Sequence, residues 1–194
     1  MAKLSICVYC GSRPGELAVY ADAARRIGSF IGERGWQLVY GGGRAGLMGL
    51  VADAALAAGA PVVGVIPESL MGRELGHPGL TELHVVETMH QRKMLMAQRS
   101  DAFLALPGGI GTFEELFEVW SWRQLGYHDK PLGLLNVAGY YDALLAFLAR
   151  SRDQGFMSDA QIDLLQVSDD PHALLTRMAE LAPQARDAHD YRRI

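Results

Sequence analysis

Cysteine is nearly missing from this chain of 194 residues: Cys7 and Cys10 are the only two. No second pair exists to complete a zinc site with them. Lying inside an apolar strand pattern, they read as two small residues at a strand end rather than as a redox motif. An excess of positive charge is missing too. The formal charge is −4, so no basic field invites nucleic acid as a partner. No apolar run approaches the ~20 residues needed to cross a bilayer, which argues against a membrane partner. Met1-Ala2-Lys3 runs straight into a strand-like segment, so no secretory signal is expected, and the expected location is cytoplasmic. No G-x-G-x-x-G follows the first strand and no G-x-x-x-x-G-K-[ST] occurs, so NAD binding and ATP hydrolysis both lose support. No G-x-S-x-G marks a hydrolase nucleophile. No His/Cys/carboxylate cluster has metal spacing, so neither a metal nor a cofactor is expected.

What the chain does have is ordinary globular composition, 49% hydrophobic and 21% charged. That suits one catalytic domain over residues 1–182 followed by a charged tail, 183–194. Short apolar runs alternate with amphipathic stretches. Strands are expected at 4–10, 36–40, 61–66, 83–86, 101–106, 131–136 and 162–167. Helices are expected at 16–34, 47–58, 88–99, 113–125, 140–152 and 171–181, with an irregular loop at 68–81. This alternation predicts an α/β fold: a Rossmann-like, doubly wound parallel sheet with helices on both faces. Ligands of such folds collect beyond the carboxyl ends of the strands. The glycines at 11, 41–43 and 108–111 all follow strands and should meet at that edge.

The central stretch is Pro107-Gly108-Gly109-Ile110-Gly111-Thr112-Phe113-Glu114-Glu115. An apolar run leads in and a helical pattern leads out. Glycine lets the backbone bend freely and lets a ligand approach it closely. The free N–H groups and dipole of a new helix favour an anion there. The turn therefore reads as a phosphate site for a mononucleotide or sugar phosphate.

Glu115 has two readings. Thr112-x-x-Glu115 fits a capping box. Alternatively, its carboxylate faces the ligand. Phe113, Leu116, Phe117 and Trp120 form the expected core face of this helix. Val119 and Trp122 make a second apolar stripe, which suggests a symmetric partner covering it. In the preceding helix, Arg92 and Arg99 share a face and suit an anion. Met89 and Met96 form a row expected in the core. His90 is isolated and reads as structural. Asp142, Asp153, Asp163, Asp169 and Asp170 read as caps or surface.

With these residues assembled, the chain resembles the Lonely Guy family, the cytokinin riboside 5′-monophosphate phosphoribohydrolases, over residues 4–157. The family signature P-G-G-x-G-T-x-x-E is present as Pro107 through Glu115. Supporting stretches are Cys10-Gly11-Ser12, Tyr40-Gly41-Gly42-Gly43, Gly46-Leu47-Met48-Gly49, Met89-His90-Gln91-Arg92-Lys93 and Asp129-Lys130-Pro131. The resemblance implies a homodimer that hydrolyses the N-glycosidic bond of adenine-type nucleoside 5′-monophosphates to free base and ribose 5-phosphate. It places the catalytic pair on Arg92 and Glu115. It places nucleotide contacts on Glu74, Arg92, Lys93, Gly108, Gly109, Ile110, Gly111, Thr112 and Glu114. Ser121 stands where the family often has a threonine. Ser12, Gly42, Gly43 and Met89, from the supporting stretches, complete the expected substrate-binding set. A non-catalytic nucleotide-binding module on the same fold remains the alternative. Relatives labelled lysine decarboxylases imply pyridoxal phosphate, for which the sequence offers no support.

Overall fold

Strands form where the apolar runs lie: β1 (Ser5–Tyr9), β2 (Gln37–Tyr40), β3 (Val62–Pro67), β4 (Glu82–Val86), β5 (Ala102–Ala105), β6 (Leu132–Leu135) and β7 (Leu165–Ser168). The intervening helices are α1 (Ala18–Glu33), α2 (Gly46–Ala57), α3 (Met71–Glu74), α4 (Met89–Gln98), α5 (Ile110–Gln124), α6 (Asp142–Asp153), α7 (Asp159–Ile162) and α8 (Pro171–Leu181). They come from a computed structural model, which describes residues 4–74 and 76–184 apart from the side chains of 73, 74 and 184. The expected tail, from 185 onward, lies outside the described residues.

All seven strands pair in parallel in the order β4-β3-β2-β1-β5-β6-β7. Alternate side chains serve opposite faces, as the two-residue period of a strand requires. Ile6, Val8 and Cys10 join one apolar cluster with α1, α2 and α8, while Cys7 and Tyr9 join the other with α4, α5 and α6. The fold is Rossmann-like α/β. Its strand order reverses direction at β1, so the loops after β1 and β5 part and leave a crevice between them.

Two expected elements shift. The irregular stretch at 68–81 contains a 3-10 turn, Glu68–Leu70, and the single-turn α3. The last strand starts later than expected because Ser158 and Gln161 form a capping box that draws Ile162 into α7. Among the described residues no helix is long and apolar enough to cross a membrane.

Burial has a consequence for pH. It pushes the Cys7 thiol from its ordinary 9.0 up to about 12, and Cys10 is raised further by the same cause. Burial also raises the hydroxyls of Tyr9 and Tyr141 above 10.0. Buried Lys130 moves the other way, from 10.5 down to about 8. Between pH 8 and 10.5 the unfolded chain holds a proton on this lysine that the fold rejects, so that group's contribution rises with pH. Above pH 9 the unfolded thiols ionise and the folded ones do not, so theirs falls, by about 1.4 kcal/mol per unit for each thiol. Denaturant titrations across pH 7–11 should therefore give a shallow maximum near pH 9 and a decline that steepens above 10. Cys10→Ala should flatten the decline.

Candidate active site

The crevice is built from three strand ends brought close. The Gly11 N–H donates to the Pro107 carbonyl (3.0 Å), and the Leu47 N–H donates to the Gly11 carbonyl (2.9 Å). The loop after β1 is thus pinned both to the turn after β5 and to the start of α2. Gly108 permits this approach: a Cβ there would lie 2.1 Å from Thr112 Oγ1 and 2.8 Å from Gly11 N.

α5 begins at Ile110, with Gly109 as its N-cap and no side chain capping the first turn. Thr112 therefore lies inside the helix, where it is buried. The capping-box reading of Thr112 and Glu115 is overturned, because the helix starts before the threonine. The carboxylate of Glu115 is one turn into α5 and half-buried.

Arg92 is 4% exposed. Its Nε donates to the Val65 carbonyl (3.1 Å) and its Nη2 to the Gly41 carbonyl (3.0 Å), at the ends of β3 and β2. A Cβ on residue 41 would sit 2.1 Å from that Nη2, so a glycine is needed for the guanidinium to dock. Arg99, expected on the same anion-binding face, instead is exposed and reaches Glu82 at 3.5 Å. Seven residues along α4, the helix has moved away from the strand ends toward β4. Met96 is core, but Met89 is 41% exposed, so this expected core row is split in the same way.

Arg92 and Glu115 line one cavity of about 260 Å³ together with Cys10, Gly11, Ser12, Met48, Leu70, Met89, Gly109, Ile110, Gly111, Thr112 and Glu114. Of the expected substrate-binding residues, Ser12, Met89, Glu114 and the turn at 109–112 line this cavity. Gly108 lines a second cavity, of about 440 Å³, which shares Gly11, Ser12 and Gly109 with the first. Gly42, Gly43, Lys93 and Ser121 line neither. The side chain of Glu74 lies outside the described residues. Met48 and Leu70 were not singled out. Leu70 belongs to the stretch read as irregular loop, which carries no periodic signal.

Lys93 joins the two site helices instead. Its ammonium lies 2.5 Å from Glu114 and 2.9 Å from Glu118. Burial opposes its charge, but hydrogen bonds to Glu114 and Glu118 win and hold its pKa above the ordinary 10.5. Because Lys93 adjoins Arg92 and Glu114 adjoins Glu115, this bridge ties the two candidate catalytic residues to each other. The expected outer stripe on α5 is a correction as well. Val119 and Trp122 are 2% and 5% exposed within this chain's own fold, inside the apolar cluster on that face of the sheet. They need no partner to cover them, whereas Phe117, expected in the core, is 38% exposed.

Residues 48–178 match the family described as "Possible lysine decarboxylase". A cytokinin riboside 5′-monophosphate phosphoribohydrolase of Arabidopsis thaliana, LOG3, is 49% identical over 178 residues, covering 92% of this chain and 83% of its own. This chain belongs to the Lonely Guy family. Another Lonely Guy relative from the same plant, LOG2, is 47% identical over 182 residues, 94% of this chain and 85% of its own. Among solved structures, a molybdenum cofactor binding protein from Rippkaea orientalis superposes with a TM-score of 0.71 at 20% identity, covering 93% of this chain and 98% of that one. That likeness shows the fold alone. The decarboxylase description finds no footing in the cavity. Lys93 is engaged by two glutamates and Lys130 Nζ donates to the Ala97 carbonyl at 2.7 Å. Neither lysine lines the cavity, so the described residues place no amine there to hold pyridoxal phosphate as a Schiff base.

Proposed function

We propose that the chain hydrolyses adenine-type nucleoside 5′-monophosphates, both AMP and N6-substituted adenine ribotides, to free base and ribose 5-phosphate. One observation carries this reading: a buried arginine and a carboxylate share a small cavity with an uncapped, glycine-rich helix start.

The phosphate takes the first turn of α5, where N–H groups and helix dipole meet it. Ser12 closes the other side. Gly108, Gly109, Ile110, Gly111 and Thr112 supply this end of the site, and Glu114 borders it. The anchored phosphate holds the ribose in place, so binding energy from a group that does not react positions the bond that does. Met48, Leu70 and Met89 give an apolar bed suited to a purine.

As the C1′–N bond breaks, positive charge builds on the ribose ring. Glu115 stabilises that charge and takes a proton from the attacking water. The water delivers hydroxide to C1′, and the departing base leaves with the bond's electron pair and gains a proton. Arg92, fixed by two carbonyls, orients the ribose and Glu115 as an always-charged group. Lys93 contributes by holding α4 against α5.

The test is incubation with AMP and with isopentenyladenosine 5′-monophosphate, with chromatography for free base and ribose 5-phosphate. Release of base from both supports the reading. Binding without release would favour a carrier on this fold.

The proposed working unit is a cytoplasmic homodimer. α4 and α5 expose Met89, Ile110, Phe117 and Leu125, at 41%, 81%, 38% and 61%, an apolar surface that a second copy would cover. Light scattering should give twice the chain mass, and Leu125→Asp should shift it toward the monomer.

A further inference from the structure

The turn Leu106-Pro107-Gly108-Gly109 has no side chain of its own able to hold it in shape. It is nevertheless held, because three successive carbonyls each accept a hydrogen bond from outside. Tyr141 Oη donates to the Leu106 carbonyl (2.7 Å). The Gly11 N–H donates to the Pro107 carbonyl (3.0 Å). Tyr140 Oη donates to the Gly108 carbonyl (2.5 Å).

The last of these bonds has a directional effect. In a trans peptide the C=O of one residue and the N–H of the next point opposite ways. Drawing the Gly108 carbonyl toward Tyr140 therefore turns the Gly109 N–H away from Tyr140. Tyr140 lines the second cavity, and Gly109 lines both. With glycine on both sides, this peptide has little else to stop it from flipping.

The tyrosine pair is itself set with care. Ala138 is the only non-glycine among the described residues with a positive φ, at 54°, and Gly139 follows at 68°. This left-handed pair turns the chain after β6 so that both tyrosines face the β5 turn. Asn136 Oδ1 accepts from the Tyr141 N–H (2.7 Å), and the Tyr20 ring meets Tyr140 edge-on with centroids 5.6 Å apart. Tyr141 is 1% exposed, whereas Tyr140 is 38% exposed. A tyrosine this exposed adds little to the core.

We infer that Tyr140 is a positioning residue for the phosphate end of the substrate: its hydrogen bond to the Gly108 carbonyl aims the Gly109 N–H at the phosphate. This rests on the proposed phosphate site. The residue never touches the glycosidic bond, so its loss weakens recognition of the phosphate and leaves the ribosyl–base end alone.

Calorimetry with AMP and with adenosine separates these ends. The host is Glu115→Gln, which removes turnover, compared with Glu115→Gln/Tyr140→Phe. Phenylalanine keeps the ring against Tyr20 and deletes only the donor. The expected result is an AMP Kd about tenfold weaker, as for one hydrogen bond, with adenosine binding and melting temperature unchanged. In the otherwise native enzyme, Tyr140→Phe should lower kcat/KM for AMP by a similar factor. Equal weakening of AMP and adenosine, or no change in AMP, would overturn the inference. Failure of the hydrolase reading looks different: AMP binds to the native chain and no base is released. Absence of AMP binding altogether would overturn both.

Discussion

Glu115→Gln slows base release from AMP by about 10³-fold, the scale of losing a positioned carboxylate from proton transfer and charge stabilisation. AMP affinity should stay within roughly a factor of two, because the phosphate is held by backbone groups that this change leaves alone. The fold should be untouched as well. Glutamine matches the shape of glutamate, the side chain is half-buried, and α5 starts at Ile110 without a Thr112–Glu115 cap to lose. Pre-steady-state and steady-state assays, with thermal melting beside them, separate these effects. A variant that binds AMP poorly or melts early would mean that Glu115 serves the binding site or the helix, not the reaction.

Gly41→Ala disables the site without altering any charged residue. The added methyl would lie 2.1 Å from Arg92 Nη2 and 3.2 Å from its Cζ, so the guanidinium has to leave its seat. A displacement of about 1 Å in a positioning group costs about 10²-fold in rate. Arg92→Ala should lose at least as much activity. It also strips the Gly41 and Val65 carbonyls of donors, which costs roughly 2 kcal/mol of stability or more. The two changes act on one contact, so they should not add: Gly41→Ala in an Arg92→Ala background should lower activity little further. Full additivity in that cycle would show that Gly41 matters for some other reason, such as the path of the backbone after β2.

The layout of the sheet and the edge where the site lies were legible because short apolar runs and strand-ending glycines are local signals. Arg92 and Glu115, named from two separate stretches of the family resemblance, line one cavity. What failed depended on facts the sequence spreads over distance. Thr112-x-x-Glu115 looked like a cap because spacing cannot say where a helix begins. α5 starts two residues before Thr112, against Gly109. Val119 and Trp122 looked like an unpaired stripe because helical periodicity does not show how many layers surround a helix. Here the chain's own apolar cluster encloses that side, and Phe117 is the residue left outside. Arg92 and Arg99 shared a face by arithmetic, yet one docks on the sheet edge and the other pairs with Glu82. Leu70 reaches the cavity from a stretch without periodicity, so no pattern could flag it.

The most direct measurement is a crystal structure of the Glu115→Gln variant soaked with AMP. The account predicts phosphate oxygens about 2.7–3.2 Å from the N–H groups of Gly109 through Thr112, as hydrogen bonds require. It also predicts C1′ within about 4 Å of the residue 115 side chain, close enough for a carboxylate to act there. A nucleotide with its phosphate elsewhere, or with C1′ beyond reach of that side chain, would contradict it.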